Sequence, residues 1–356
     1  MPLQSHISLY WTSYFDDRGL DASIASKYLS VVNECVKNGV PPILSIDHLA
    51  ALIGVSEESI FTVLYGKERM YSEFEVPKRT GGSRIIHSPR SKVRICQYWI
   101  LKNILHNLPV SKIATAYYKG ASILDNASRH ISRERIAKLD IEAFFPSISE
   151  RMVTRAFQEL GYPNQVAWAL ARMCCHRKKL PQGGVTSGAL SNLVCKKLDF
   201  SLYRFARKQK LRITRYADDF TISGRSLERW HVAYVAKSFA RYGFIENRKK
   251  RVIYEGYKPA RVTGLTVTDK VRVPRKLRQE VRKNIYFIYK FGIDGHLSRM
   301  DNFDYVDIYR LAGKLEFWRS IEGQSKEVAE LQIKLQDAIT RSGKLIFPSP
   351  NAQLFE

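Results

Sequence analysis

Acid is scarce in this chain. Asp and Glu number 34 against 58 Lys and Arg, a formal charge of +24 over 356 residues. A surface charged in this way attracts polyanions, which narrows the partners to nucleic acid or anionic lipid. Long apolar runs are missing too. None reaches the roughly 20 residues that span a bilayer, and no basic cluster sits beside one, so a membrane partner is not expected. The N-terminal stretch MPLQSHISLYWTSYFDDRGL has no basic start followed by an apolar core and does not read as a signal peptide. The five cysteines, Cys35, Cys96, Cys174, Cys175 and Cys195, are odd in number and contain no C-x-x-C pair. They give neither a disulfide framework nor a zinc motif and fit the reducing cytoplasm. Cys174-Cys175-His176 reads as buried thiols rather than a metal cluster, because adjacent residues rarely aim at one ion.

Low-complexity tracts and solenoid-period repeats are also absent. At roughly 150 residues per domain, the length allows two or three domains or one larger fold with appended parts. Three parts separate by pattern. Residues 1–72 are helix-rich, with apolar residues three and four apart over Ala22 to Lys37 and Ile46 to Tyr65 and a Gly39-Val40-Pro41-Pro42 break between. Residues 73–270 alternate strand-like and helix-like segments. Residues 271–356 are highly basic, and KLRQEVRKNIYFIYKFG and DIYRLAGKLEFWRSIEG both read as amphipathic helices.

Against this basic background, Arg215-Tyr216-Ala217-Asp218-Asp219-Phe220 sets two carboxylates side by side. The flanks, Leu211 to Tyr216 and Phe220 to Ser223, alternate and are rich in β-branched residues, so both acids are expected at an exposed strand-to-strand turn. Asp is a common turn residue, which accounts for one acid better than for two. A third acid, Asp140, ends the strand-like Ala137-Lys138-Leu139-Asp140 and precedes Phe144-Phe145-Pro146. Carboxylates from a strand end and a hairpin tip can converge when the two lie side by side in one sheet, and hard oxygen ligands suit Mg²⁺. Two such ions about 4 Å apart stabilise the attacking and leaving oxygens of a phosphoryl displacement.

Tyr216-Ala217-Asp218-Asp219 resembles the Y-x-D-D box of reverse transcriptases. Asp140 with Phe144-Phe145 resembles the first catalytic box of that family, and Leu180-Pro181-Gln182-Gly183 the L-P-Q-G box between them. The resemblance extends over about residues 46 to 330. Within the family it is closest to bacterial retron reverse transcriptases. Asn126-Ala127-Ser128-Arg129-His130 fits their N-A-x-x-H motif, and Val262-Thr263-Gly264 their V-T-G motif.

The resemblance implies an α+β right-hand polymerase, with fingers and an antiparallel-sheet palm over residues 73–270, a helical thumb and RNA-binding region over 271–356, and a helical N-terminal segment. It implies that Asp140 and Asp218 bind two Mg²⁺ ions, for which Mn²⁺ can substitute, with Asp219 supporting and the Ile141 carbonyl completing the shell. Arg84 and Lys78 would contact the triphosphate, Phe145 would exclude a ribose 2′-hydroxyl, and Gln182 would touch the incoming nucleotide. Lys250, in Asn247-Arg248-Lys249-Lys250, would protonate pyrophosphate, although such a charge run is more often a solvated face. Many relatives carry Pro directly after the Ser of L-P-Q-G-x-x-x-S, whereas this chain has Gly188, so a looser loop around Gln182 is expected.

The stretch from Leu49 to Ile60 also has a helix-turn-helix pattern, with Ser56 capping a second helix. Its acidic Glu57-Glu58 opening argues against an operator-reading module. Aromatic residues of the C-terminal helices, Tyr286, Phe287, Tyr289, Phe291, Phe317 and Trp318, alternate with Lys and Arg and suit either RNA loops or a core.

The expected activity is RNA-directed DNA synthesis from a cognate noncoding RNA and dNTPs. The product implied by the resemblance is single-stranded DNA branched from RNA through a 2′,5′ linkage (msDNA, 2′-OH priming). Host ribonuclease H and a separate effector protein are implied as partners in antiphage defence. Another bacterial reverse transcriptase with different priming, or a nonenzymatic basic nucleic-acid binder, are the alternatives.

Overall fold

A computed structural model describes residues 2–66, 70–78, 81–256, 259–299, 304–323 and 325–343. The end of the expected C-terminal region, residues 344–356, lies outside the described residues. The chain divides into two compact units, Met1–Ser122 with Arg135–Ile253, and Ile123–Glu134 with Tyr254–Glu356.

The first unit opens with the helices Pro2–Asp16, Ala22–Lys37, Ile46–Ile53 and Glu57–Tyr65. The pattern over Ile46 to Tyr65 is therefore two helices. Gly54 ends the first in the left-handed region at φ 78°, and the Ser56 hydroxyl caps the second by accepting from the Ser59 amide at 3.2 Å. Leu49, Ala50, Ile60, Val63 and Leu64 turn inward from this pair into the main core. A two-stranded antiparallel hairpin follows, β1 (Tyr71–Pro77) and β2 (Ser83–Pro89), and then the helix Ser91–Asn103.

The central sheet contains β3 (Arg135–Asp140), β4 (Arg212–Tyr216) and β5 (Asp219–Ser223), with β5 in the middle of the three and both pairings antiparallel. β6 (Val252–Glu255), whose first half lies in this unit, is the outer neighbour of β3. Every residue of β5 after Asp219 is buried. The Phe220 ring meets Phe239 of the helix Arg229–Arg241 with centroids 4.7 Å apart. Burial on this scale, about 1.5–3 kcal/mol for a large apolar side chain, anchors the strand that begins with Asp219.

In the second unit, β7 (Ala260–Val262), β8 (Leu265–Val267) and β9 (Val271–Arg272) form a three-stranded antiparallel sheet in sequence order. The helices Arg275–Leu297, Val306–Ile321 and Lys326–Ser342 pack around Val281, Ile285, Leu315, Trp318 and Leu335. Both basic segments picked out by their amphipathic pattern are helical, and the first is interrupted at Gly292, φ 73°. Among the described residues, no helix is long and apolar enough to cross a membrane.

Candidate active site

The ends of β3 and β5 bring three acids together. Asp140, the last residue of β3, is the direct cross-strand partner of Asp219, the first residue of β5. Tyr216 pairs with Asp219 on the other side, which leaves Ala217 and Asp218 as a two-residue turn. Ala217 holds φ 57° there, a left-handed conformation that costs a non-glycine residue about 1–2 kcal/mol. The Ile141 amide donates to the Asp218 carbonyl at 3.1 Å, and the Asn247 amide to the Asp140 carbonyl at 2.8 Å, so the backbones that carry the acids are tied together. The expectation of two exposed acids at a hairpin tip needs correcting. Asp219 belongs to the strand, both acids are half-buried, and Asp140 is buried, because the turn folds against the end of β3.

Two ammonium groups face these carboxylates. Lys250 Nζ lies 2.9 and 3.0 Å from the two oxygens of Asp140, and Lys138 Nζ lies 3.1 Å from Asp219 Oδ2. Burial raises the Asp140 pKa despite Lys250, and it pushes Asp218 up to about 6, with repulsion from Asp140 adding to the effect. Burial and the Asp218 charge likewise lift Tyr117 to about 12. The donor set is entirely hard oxygen, and its charge is only partly offset by lysine, so these side chains fit divalent cations. Lys138 was not singled out from the sequence. The signal was present in its place two residues before Asp140, on the same face of the strand.

Phe144 is a core ring, buried against Phe244 with centroids 6.0 Å apart. Phe145 is half-buried instead and faces Tyr117 at 5.9 Å. Gln182 lies in a loop that is not loose. The His87 amide donates to the Gln182 carbonyl at 2.7 Å, the Val185 amide to Gln97 Oε1 at 3.0 Å, and the Ser187 hydroxyl to the Pro181 carbonyl at 2.8 Å. Gly188 itself is where the Tyr117 ring packs, since a Cβ there would lie 2.6 Å from two ring carbons. Space for Tyr117 thus explains a glycine in place of proline.

Lys78 and Arg84 are exposed toward the tip of the β1–β2 hairpin, where Arg84 pairs across the strands with Val76 and the Lys78 amide donates to the Gly82 carbonyl at 2.9 Å. Among the described residues, no hydrogen bond or ion pair joins either side chain to the acids. The two shorter motifs belong to the second unit, and there they meet each other. Asn126 Nδ2 donates to Thr263 Oγ1 at 3.5 Å, and Thr263 Oγ1 donates to the Ile123 carbonyl at 3.2 Å. Ala127, His130 and Val262 are buried around this contact, and Thr263 and Gly264, at φ 46° and 84°, make the turn from β7 to β8.

Residues 76–267 match the family model "Reverse transcriptase (RNA-dependent DNA polymerase)". The retron Ec86 reverse transcriptase of Escherichia coli is 32% identical over 70% of this chain and 80% of its own length. The retron Mx65 enzyme of Myxococcus xanthus is 31% identical over 78% of this chain and 73% of its own length. Among solved structures, a Candida albicans telomerase aligns with a TM-score of 0.45 at 11% identity, over 76% of this chain and 63% of that one, too distant to add to the assignment. A reverse transcriptase domain brings with it an RNA template and the use of divalent metal. The chain belongs to the reverse transcriptases and, within them, to the retron reverse transcriptases, and is therefore an RNA-directed DNA polymerase.

Proposed function

We propose that this enzyme copies part of a cognate noncoding RNA into single-stranded DNA that stays branched from the RNA by a 2′,5′ linkage, in antiphage defence. The observation that carries the chemistry is the register of Asp140 against Asp219, with Asp218 in the turn between. The retron-type product is supported by family membership and by the packing of the N-A-x-x-H motif on the V-T-G motif.

In this reading residues 73–270 are fingers and palm, residues 271–356 the thumb and RNA-binding region, and residues 1–72 a helical N-terminal segment. Asp140 and Asp218 would hold two Mg²⁺ ions, with Asp219 and the Ile141 carbonyl in support and Mn²⁺ able to substitute. Bound there, the ions would activate the primer hydroxyl and steady the departing pyrophosphate. Lys138 holds Asp219 in place, and Lys250 offsets the Asp140 charge and supplies a proton to pyrophosphate. Phe145 bars the ribose 2′-hydroxyl, Gln182 contacts the incoming nucleotide from a pinned loop, and Arg84 and Lys78 attract its triphosphate. Exposed Tyr286 and Tyr289, with Lys290, Lys334 and Arg341 near their rings, provide charge and stacking for RNA. Host ribonuclease H and a separate effector are the proposed partners, and the cytoplasm the proposed location.

The test uses cells carrying the native locus beside an Asp218→Ala Asp219→Ala version. Nucleic acid is treated with ribonuclease, then with or without a 2′,5′-debranching enzyme, and run on a denaturing gel. A DNA band that shifts on debranching and vanishes in the variant is expected. DNA of unchanged mobility points to a different primer.

A further inference from the structure

We propose that Glu73, His87 and His176 form a binding site for one divalent transition-metal ion, zinc by its chemistry, which fastens the β1–β2 hairpin to the turn preceding Gln182. One ligand atom from each of the three residues lies within 4.8 Å of the others. Glu73 and His87 are direct cross-strand partners on the hairpin, and His176 comes from the segment after the helix Asn164–Cys174. His87 Nε2 and His176 Nε2 each lie 3.6 Å from Glu73 Oε1. Tetrahedral zinc with ligand bonds of about 2.0–2.1 Å sets neighbouring donor atoms ~3.4 Å apart, close to both separations from Glu73.

Glu73 Oε1, at 3.6 Å, lies beyond hydrogen-bonding distance of either imidazole. His176 is 8% exposed, and its Nε2 is buried with no hydrogen-bond partner, as is His87 Nδ1. Buried polar atoms are nearly always paired with protein, water or an ion, and of these two orphans His176 Nε2 is the one that faces Glu73. The His176 ring is held by Tyr71, with centroids 4.4 Å apart, and by His87 at 5.0 Å. Arg177 Nη2 sits 2.9 Å from Glu73 Oε1. Glu73 Oε1 is the oxygen that faces both imidazoles, so an entering ion would displace this half-exposed arginine or take Glu73 through its other carboxylate oxygen. A cavity of about 520 Å³ lined by Tyr71, His176 and Arg177 offers an entry path.

Two imidazoles and one carboxylate suit zinc and its neighbours in the first transition row, whereas Mg²⁺ prefers oxygen. The site is thus chemically separate from Asp140 and Asp218. Cys174 and Cys175, although adjacent in sequence, are not among the residues whose ligand atoms converge with Glu73 and His87. The consequence for the enzyme is positional. The His87 amide already donates to the Gln182 carbonyl, and the same hairpin carries Lys78 and Arg84.

The test strips the full chain with chelator and titrates Zn²⁺ against a competing chromophoric chelator, with Mg²⁺ in excess to fill the acid site. Wild type and the Asp140→Asn Asp218→Asn variant are expected to bind one equivalent. Glu73→Gln and His176→Gln should bind at least tenfold more weakly. Glu73 is exposed enough for its variant to keep the fold, which thermal melting verifies. Co²⁺ in place of zinc should give visible absorption that is lost in the same two variants. Absence of stoichiometric binding at micromolar free zinc would overturn the site, as would equal affinity in wild type and Glu73→Gln.

Discussion

Arg215 grips Asp199 with two prongs, Nε to Oδ1 at 2.8 Å and Nη2 to Oδ2 at 2.6 Å, and both side chains are wholly buried. Arg215 Nη2 also donates to Asn192 Oδ1 at 3.1 Å, and Nη1 to the Ala217 carbonyl at 3.4 Å, inside the turn that carries Asp218. The pair therefore joins the helix Lys196–Lys208 to the strained end of β4. Removing one partner strands a buried charge, which costs about 3–5 kcal/mol. Arg215→Met should lose that much in urea unfolding, and adding Asp199→Asn should recover part of it. A loss below about 1 kcal/mol in the single variant would mean that the ion pair is not anchoring the turn.

Gly188 and Tyr117 supply a second test. A methyl group at residue 188 would meet the Tyr117 ring at 2.6 Å, and overpacking of this kind costs about 1–3 kcal/mol. Gly188→Ala should lower stability and raise the KM for dNTP through the adjoining Gln182 loop. Combining it with Tyr117→Ala should relieve the stability loss. If Gly188→Ala unfolds at the wild-type urea midpoint, the ring is not what reserves this position for glycine.

The proposed sugar gate is Phe145, one ring of the Phe144-Phe145 pair. Phe144→Ala should chiefly destabilise the fold, by about 3–5 kcal/mol for a buried Phe. Phe145→Ala should leave the fold largely intact and raise ribonucleotide use relative to deoxynucleotide on the order of tenfold or more. Single-nucleotide incorporation with paired dNTP and rNTP substrates reads the ratio, and an unchanged ratio moves the gate elsewhere.

The five cysteines are all buried. Burial pushes Cys35 and Cys96 up to about 11 and Cys174 and Cys195 up to about 12, and holds Cys175 well above its usual range. Native thiols should resist a disulfide reagent at pH 8, and denaturant should release all five. An unfolded thiol ionises near pH 8.5, so above that pH the unfolded chain has lost protons that the native state keeps, and stability falls as pH rises. A fast-reacting thiol in the native protein would contradict this burial.

Local pattern made much of the site legible. The alternation on either side of Asp218 foretold a hairpin, and the strand-like run into Asp140 foretold the second contributor. Sheet order was not visible, because register between segments some 80 residues apart is set by tertiary packing rather than by either segment. For the same reason the sequence did not pair Asn126 with Thr263 or Asp199 with Arg215, nor did it show why Gly188 must be small. Exposure of the acid pair was misjudged because turn chemistry describes the turn alone, while burial depends on what folds over it. His176 was weighed with its sequence neighbours Cys174 and Cys175, yet its structural neighbours Glu73 and His87 come from a hairpin about 90 to 100 residues away.

The acids joined by the Asp140–Asp219 register are proposed to perform metal-dependent DNA synthesis. The most direct measurement is dNTP incorporation on a primed RNA template by purified wild type and Asp218→Asn, with Mg²⁺ and without it, alongside RNA affinity at fixed salt. Synthesis should fall about a hundred- to a thousandfold or more in the variant, and likewise in wild type without metal, while RNA affinity changes less than about twofold. Near-wild-type incorporation by Asp218→Asn would contradict it.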